Sequence, residues 1–445
     1  MKFGILILSI ALMASSLASH AQSPLNLKGE EASSIGIYIK DIETDKVLVD
    51  YNSKLALTPA SVMKAVTTAS ALWLCGPDTC FTTTVGLSGQ KEGSTWHGNL
   101  IIKATADPTI DSEFFKERRG FCDSIAAALK RRGIRKIEGT VVVEERLSQP
   151  GPNWQWEVED IAWPYGAGLF GFNYRDNTST LAPATGVLTP EVPGMEVCVE
   201  RAKTNDIVRG IGSNRLTVYT KDPNDRNWRL NVTVPDPAAM FIAEMKRILA
   251  SEGISVGDKA LKASEFTEIY LHRSPRFGEI MKSLMVRSDN LFAEGILRSM
   301  APDSSRKAAI DREKALWTNR GISAEYTTIN DASGLARSNR LSPLFLGSVL
   351  EWMAKSNMAK RYTSFFPRAG KDGTMRGFLA KSPLKGRIAL KTGSIGGVQC
   401  YAGYKLDSNN EPTHVIVIMV NGFYCPRKEV RIASEDLLTE LFIKK

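Results

Sequence analysis

A serine hydroxyl attacks a carbonyl only when a base takes its proton, and a lysine amine can be that base once burial or a positive neighbour depresses its pKa. Ser61 and Lys64 form such a pair. Their spacing of three sets both side chains on one face of a helix. Pro59 suits a first turn, Val62 to Leu74 is mostly small and apolar, and Gly76-Pro77 stops the run. A helix start also offers free backbone N–H groups and the positive dipole end, where an oxyanion would form. Alone the pair means little. The same spacing recurs at Ser88–Lys91, Ser304–Lys307 and Ser382–Lys385, and each of these reads first as a solvated surface pair.

Two further motifs change the weight. Ser288-Asp289-Asn290 falls between two helical runs, and Lys391-Thr392-Gly393 ends a run of small and apolar residues that reads as a strand. Lys-Thr-Gly occurs once. A second Ser-x-Asn, Ser408–Asn410, sits in a hairpin loop. The order Ser-x-x-Lys, Ser-x-Asn, Lys-Thr-Gly is that of penicillin-binding proteins and class A β-lactamases.

With these motifs the chain resembles the low-molecular-mass, class C penicillin-binding proteins, the D-Ala-D-Ala carboxypeptidase/endopeptidase family. The interval from Ser61 to Ser288 is more than twice that from Ser288 to Lys391, and this family fills that gap with an inserted domain. Thr58-Pro59-Ala60, Gly98-Asn99-Leu100 with Asp107-Pro108-Thr109, Asp331-Ala332-Ser333-Gly334-Leu335 with Arg337, Gly370 to Thr374, and Asn421 resemble family segments. Departures are Ala106 for a usual Gly, Ala336 for Ser, and Glu157 for the Asp of Trp-x-Trp-Asp. Glu157 keeps the charge that meets the amino end of a diaminopimelate-type peptide but reaches one methylene further.

The resemblance implies an α+β fold: a penicillin-recognising, transpeptidase-like domain, an antiparallel sheet covered by helices, with a large inserted α/β domain. It implies that Ser61 attacks the penultimate D-Ala of peptidoglycan peptides and Lys64 takes its proton. Ser288 relays a proton to the leaving amine beside the positive field of Lys391, and Asn290 orients substrate and Lys64. Thr392 attracts the terminal carboxylate, Ser394 and Ser61 lend oxyanion N–H groups, and Gly393 lets substrate lie on the strand edge. Arg337 and Glu157 are further substrate contacts. β-Lactams would act as covalent inhibitors, with no cofactor. A β-lactamase or esterase on the same frame, and an inactive wall-binding protein, are the alternatives.

The elements that must position these residues are legible in outline. Ser34–Lys40 and Lys46–Tyr51 read as two strands, and Arg387–Lys391, Val398–Tyr404 and His414–Val420 as three more that could share their sheet. Helical patterns cover 278–286, 290–300, 305–318 and 343–355. A final helix near 430–442 has an apolar stripe that fits packing on the sheet better than contact with a membrane. From 81 to 263 the texture turns to short strands with two helices. The expected division is 22–80 with 264–445 as the catalytic unit and 81–263 as the insertion, with a further subdomain at about 178–232.

Composition bounds the rest. The 445 residues are 43% hydrophobic and 24% charged, an ordinary globular balance. Lys2, the apolar run to Leu17 and Ser19-His20-Ala21 predict a signal peptide (residues 1–21) cleaved after about Ala21, hence a periplasmic protein. No later run is long enough to span a bilayer. The +9 charge is dispersed, which argues against nucleic acid. Scattered histidines argue against a metal site. Six cysteines in an oxidising compartment predict disulfides, Cys75–Cys80 being the easiest pair.

Overall fold

The computed structural model describes residues 23–262, 265–301 and 305–443. The expected signal peptide lies outside the described residues. β1 (Ser34–Asp41) and β2 (Val47–Tyr51) join β3 (Ile388–Ile395), β4 (Val398–Leu406) and β5 (Pro412–Asn421) in one antiparallel sheet of order β3-β4-β5-β1-β2. Chain ends far apart in sequence thus share a sheet, as their patterns predict. β1 runs beside β5 with Ser34 opposite Asn421 and Ile37 opposite Ile418. Both faces are covered, so Ile35 to Ile39 is buried without interruption.

The two faces carry separate cores. Helices α1 (Met63–Leu74), α2 (Phe277–Arg287), α3 (Asn290–Ser299), α4 (Arg306–Thr318) and α5 (Pro343–Ala354) pack on the face of Tyr38, Cys400, Val415 and Val417. α1 is the central helix: Met63 to Leu72 are all buried, which is why the run shows no polar stripe. Ser70 on α1 accepts a hydrogen bond from the buried Trp317 indole of α4 at 2.9 Å. Removing a buried aromatic of this size costs about 3–5 kcal/mol. α6 (Arg427–Ile443) lies on the other face. Its Val430, Leu437 and Leu438 pack with Ile37, Ile416 and Ile418, so the stripe serves the sheet.

Between α1 and α2 the chain leaves this sheet. Strands Thr82–Glu92 and Thr95–Lys103 centre a second sheet backed by helices Phe121–Arg131 and Pro237–Ser251, with its own core. Strand Phe266–Arg273 pairs with Thr82–Ser88, although the sequence division placed it in the catalytic unit. We propose that the insertion therefore runs to Arg273. The stretch read as a further subdomain holds two three-stranded sheets around Leu181, Leu216, Val218 and Val232.

The expected Cys75–Cys80 disulfide is absent. All six cysteines are free thiols. Cys75 Sγ is turned to the Ser299 carbonyl at 3.7 Å, while Cys80 Sγ meets the Asp78 carbonyl at 3.9 Å, so the turn points the two sulfurs to different partners. Among the described residues no helix is long and apolar enough to cross a membrane.

Candidate active site

Ser61 lies in a 3-10 turn, Ala60–Val62, that runs into α1. Its Oγ is 3.0 Å from Lys64 Nζ. Lys64 is fully buried and touches two further acceptors, Asn290 Oδ1 and the Ser333 carbonyl, each at 2.6 Å. Burial lowers its pKa to about 8, although Asp331, Asp289 and Glu294 pull the other way.

Ser288-Asp289-Asn290 joins α2 to α3. Ser288 ends α2 with a left-handed backbone (φ 66°), and the Asp289 carboxylate caps α3 by accepting the Phe292 N–H at 2.8 Å. Asp289 is thus a turn residue. Asn290 then points inward: Oδ1 accepts from Lys64, and Nδ2 donates to the Tyr165 carbonyl at 2.8 Å. Tyr165 belongs to the insertion, and no sequence signal marked it.

Lys391 reaches across from β3. Its Nζ donates to Ser288 Oγ at 2.9 Å and to the Thr392 carbonyl at 2.8 Å. It is fully buried, and burial together with the charge of Lys64 holds its pKa well below the usual lysine range. Thr392 Oγ1 donates to Thr374 Oγ1 at 2.9 Å. Ser394 is exposed, and its hydroxyl donates to Gln399 Oε1 at 3.1 Å. Gly393 has a second reason to be glycine. A Cβ there would meet the Pro59 carbonyl at 2.5 Å and the Ser61 nitrogen at 3.2 Å, so bare backbone lets β3 press against the nucleophile turn.

The loop 331–337 closes the site from behind. The buried Asp331 carboxylate accepts from the N–H groups of Gly334 and Ala336, the Asn339 amide, the Ser333 hydroxyl and the Trp156 indole. Five donors leave it a structural hub, in keeping with a turn-capping role. Glu294 of α3 accepts from the Ala332 and Ser333 N–H groups, which aims the Ser333 carbonyl at Lys64. Neither Glu294 nor the Ser333 carbonyl was singled out from sequence. Trp156 is core, whereas Trp154 is 75% exposed. Arg337 and Glu157 meet each other: Arg337 Nε lies 2.5 Å from Glu157 Oε1, and Nη1 donates to the Gly396 carbonyl at 3.0 Å.

A sheet covered by helices, an inserted domain, and Ser-Lys, Ser-x-Asn and Lys-Thr-Gly converging on one cleft define a penicillin-binding-protein fold and a serine hydrolase. The chain belongs to the D-Ala-D-Ala carboxypeptidase 3 (S13) family, which it matches over residues 13–440. It is a carboxypeptidase of that peptidoglycan-directed class. The D-alanyl-D-alanine carboxypeptidase DacB of Haemophilus influenzae is 27% identical, over 94% of this chain and 92% of that protein. A D-alanyl-D-alanine carboxypeptidase of Actinomadura sp. is 25% identical over 83% of this chain and 74% of its own length. The crystal structure of penicillin-binding protein 4 (dacB) from H. influenzae superposes with a TM-score of 0.78, at 24% identity, covering 94% of this chain and 97% of that one.

Proposed function

We propose that the protein cleaves D-Ala-D-Ala stem peptides through an acyl-enzyme on Ser61, that it also opens peptide cross-links, and that penicillin acylates the same serine. The geometry at Lys64 carries this reading. A neutral amine has two N–H donors and one lone pair. Two 2.6 Å contacts go to atoms that can only accept, so they take both N–H groups. The lone pair is left facing the Ser61 hydroxyl.

Ser61 Oγ then bonds to the carbonyl carbon as its proton passes to Nζ. The C–N bond breaks as the leaving amine takes a proton through Ser288. Water adds to the ester and frees Ser61. The N–H groups of Ser61 and Ser394 receive the oxyanion. Burial and the nearby charge of Lys64 hold the pKa of Lys391 well below the usual lysine range. A substrate carboxylate at Thr392 raises the pKa of Lys391, and the returning charge keeps Lys64 neutral. Binding thus sets the two lysines in the roles the resemblance implies. A solved complex of the H. influenzae protein with a β-lactam supports penicillin binding at such a site. The N-terminal pattern supports export to the periplasm.

The test is D-Ala release from a pentapeptide ending in D-Ala-D-Ala, run beside fluorescent-penicillin labelling. Release with a stable labelled band is expected; consumption of penicillin with neither sinks the proposal. The pH profile adds a sign. Lys64 acts only when unprotonated, and its folded pKa is about 8. Therefore kcat/KM should climb about tenfold per pH unit below that value and level off above it. A profile flat through pH ~6 to 9 would remove Lys64 as the base.

The resemblance to the family's Trp-x-Trp-Asp segment makes Glu157 the proposed contact for a cationic peptide side chain, and it is paired with Arg337. Glu157→Gln should lower kcat/KM about tenfold for a stem peptide with a free side-chain amine, the scale of one charge-assisted hydrogen bond. An acetylated side chain should feel much less. Equal losses on both peptides would show that the carboxylate only holds Arg337.

A further inference from the structure

On the face of β3 turned toward α6, a cavity of about 430 Å3 opens between Thr374, Thr392, Ser394, Arg427, Lys428 and Arg431. Thr392 connects it to the cleft, since its neighbour Lys391 meets Ser288 and its own hydroxyl meets Thr374. Two of the three cations are held by backbone carbonyls, which fixes them without cancelling their charge. Arg427 Nη2 donates to the Ile395 carbonyl at 2.8 Å, and Arg431 Nη1 to the Gly377 carbonyl at 3.1 Å. The acid that faces them is Glu435, 3.8 Å from Arg431 Nε and itself accepting the Leu379 N–H. Among the described residues neither Arg427 nor Lys428 forms an ion pair.

The surroundings are positive as well. Segment 355–387, which includes Thr374, holds nine Lys or Arg and one acid, Asp372, so it accounts for +8 of the chain's +9. Part of that charge is engaged elsewhere: Lys355 pairs with Asp45 and Glu351, and Arg387 donates to the Asp407 carbonyl. A D-Ala leaving group has a single carboxylate, and Lys391 and Thr392 receive it. Three cations beyond Thr392 exceed what that reaction needs.

We infer that the Arg427–Lys428–Arg431 cavity is a leaving-group subsite for a peptide amine that carries a second carboxylate, as the released strand of a peptide cross-link does. The inference rests on the acyl-enzyme chemistry proposed for Ser61, and it makes cross-links substrates in which binding energy is gained beyond the cleaved bond.

Three peptides test it on the full-length protein: a monomer ending in D-Ala-D-Ala, a cross-linked dimer, and the dimer with the distal carboxylate of its leaving strand amidated. For Arg427→Ala/Lys428→Ala, the ratio of kcat/KM for dimer to that for monomer should fall about tenfold, mostly through KM. Amidation should lower the wild-type ratio by a similar factor. Arg427→Lys/Lys428→Arg should restore it. Lys428→Glu, which breaks no carbonyl contact, should by itself lower the ratio about threefold or more, so a misfolded double variant does not shelter the idea. An unchanged ratio, or an amidated dimer cleaved as fast as the free acid, overturns the subsite. So does loss of binding to phosphatidylglycerol vesicles with the ratio intact, which would assign the basic face to lipid. If wild-type protein releases no D-Ala and takes no penicillin, the Ser61 reading has failed; if it does both and only the ratio is insensitive, the subsite alone has failed.

Discussion

Ser61→Ala should abolish D-Ala release and penicillin labelling together, lowering kcat/KM by roughly 10^4-fold or more. The expectation has a real competitor inside the same cleft. Ser288 also has a buried lysine at hydrogen-bond distance, Lys391, whose pKa is lowered as well. What separates the two serines is the backbone around them. Ser61 enters α1 at its N-terminal side, where free N–H groups and the positive dipole end stabilise an oxyanion. Ser288 closes α2 at its C-terminal end, where negative charge is disfavoured, and the α3 start beside it is already capped by the Asp289 carboxylate. Ser333 is no candidate, because it is buried and its hydroxyl donates to Asp331. Removing one half-buried hydroxyl should cost no more than about 1 kcal/mol of stability, so a normal urea midpoint with no labelling is the expected pair of results. Labelling that persists in Ser61→Ala and vanishes in Ser288→Ala would reverse the assignment.

Gly334→Ala should cost at least about 100-fold in acylation although it replaces no residue proposed to react. Gly334 holds φ at +82°, and an added Cβ would stand 1.8 Å from the Ala60 carbonyl oxygen and 3.0 Å from the Ser61 nitrogen. Those atoms are backbone and cannot swing away. The turn carrying Ser61 must retreat by about 1 Å, a displacement of the size that misaligns a nucleophile. Gly321→Ala is the control. Its φ is +77° with nothing within 4 Å of the added Cβ, so it meets the left-handed strain alone. The comparison is the rate of penicillin labelling beside the urea midpoint for each variant. Gly334→Ala labelling at the Gly321→Ala rate would show that the Asp331 loop does not buttress the nucleophile turn.

How legible the site was can be argued from the repeats of its first motif. Ser-x-x-Lys stands at several places in the chain. Ser88–Lys91 lies on a strand, where residues three apart point to opposite faces, and Ser382–Lys385 lies in a turn. Ser304 lies outside the described residues, but Lys307 stands in the first turn of α4, so a helix start alone does not separate that pair from Ser61–Lys64. Company with Ser288–Asn290 and Lys391–Gly393 picked Ser61–Lys64 out beforehand. The cysteines misled for a related reason. An even count in a short loop allows a bridge, but sulfur direction is set by packing, and Cys75 turns to Ser299.

By itself, then, the sequence determined the strands and helices, their assembly into one interrupted sheet, and the three motifs, because periodicity and short spacing are local properties that the backbone converts directly into faces. Only the tertiary structure decided what each motif residue touches. Lys64 Nζ meets Asn290 and the Ser333 carbonyl, far along the chain, and burial lowers its pKa. Arg337 is matched to Glu157 of the insertion, and Arg427, Lys428 and Arg431 line one cavity with Thr392. Burial and Coulomb energy depend on distance in space, and a separation of hundreds of residues carries no such information until the chain has folded.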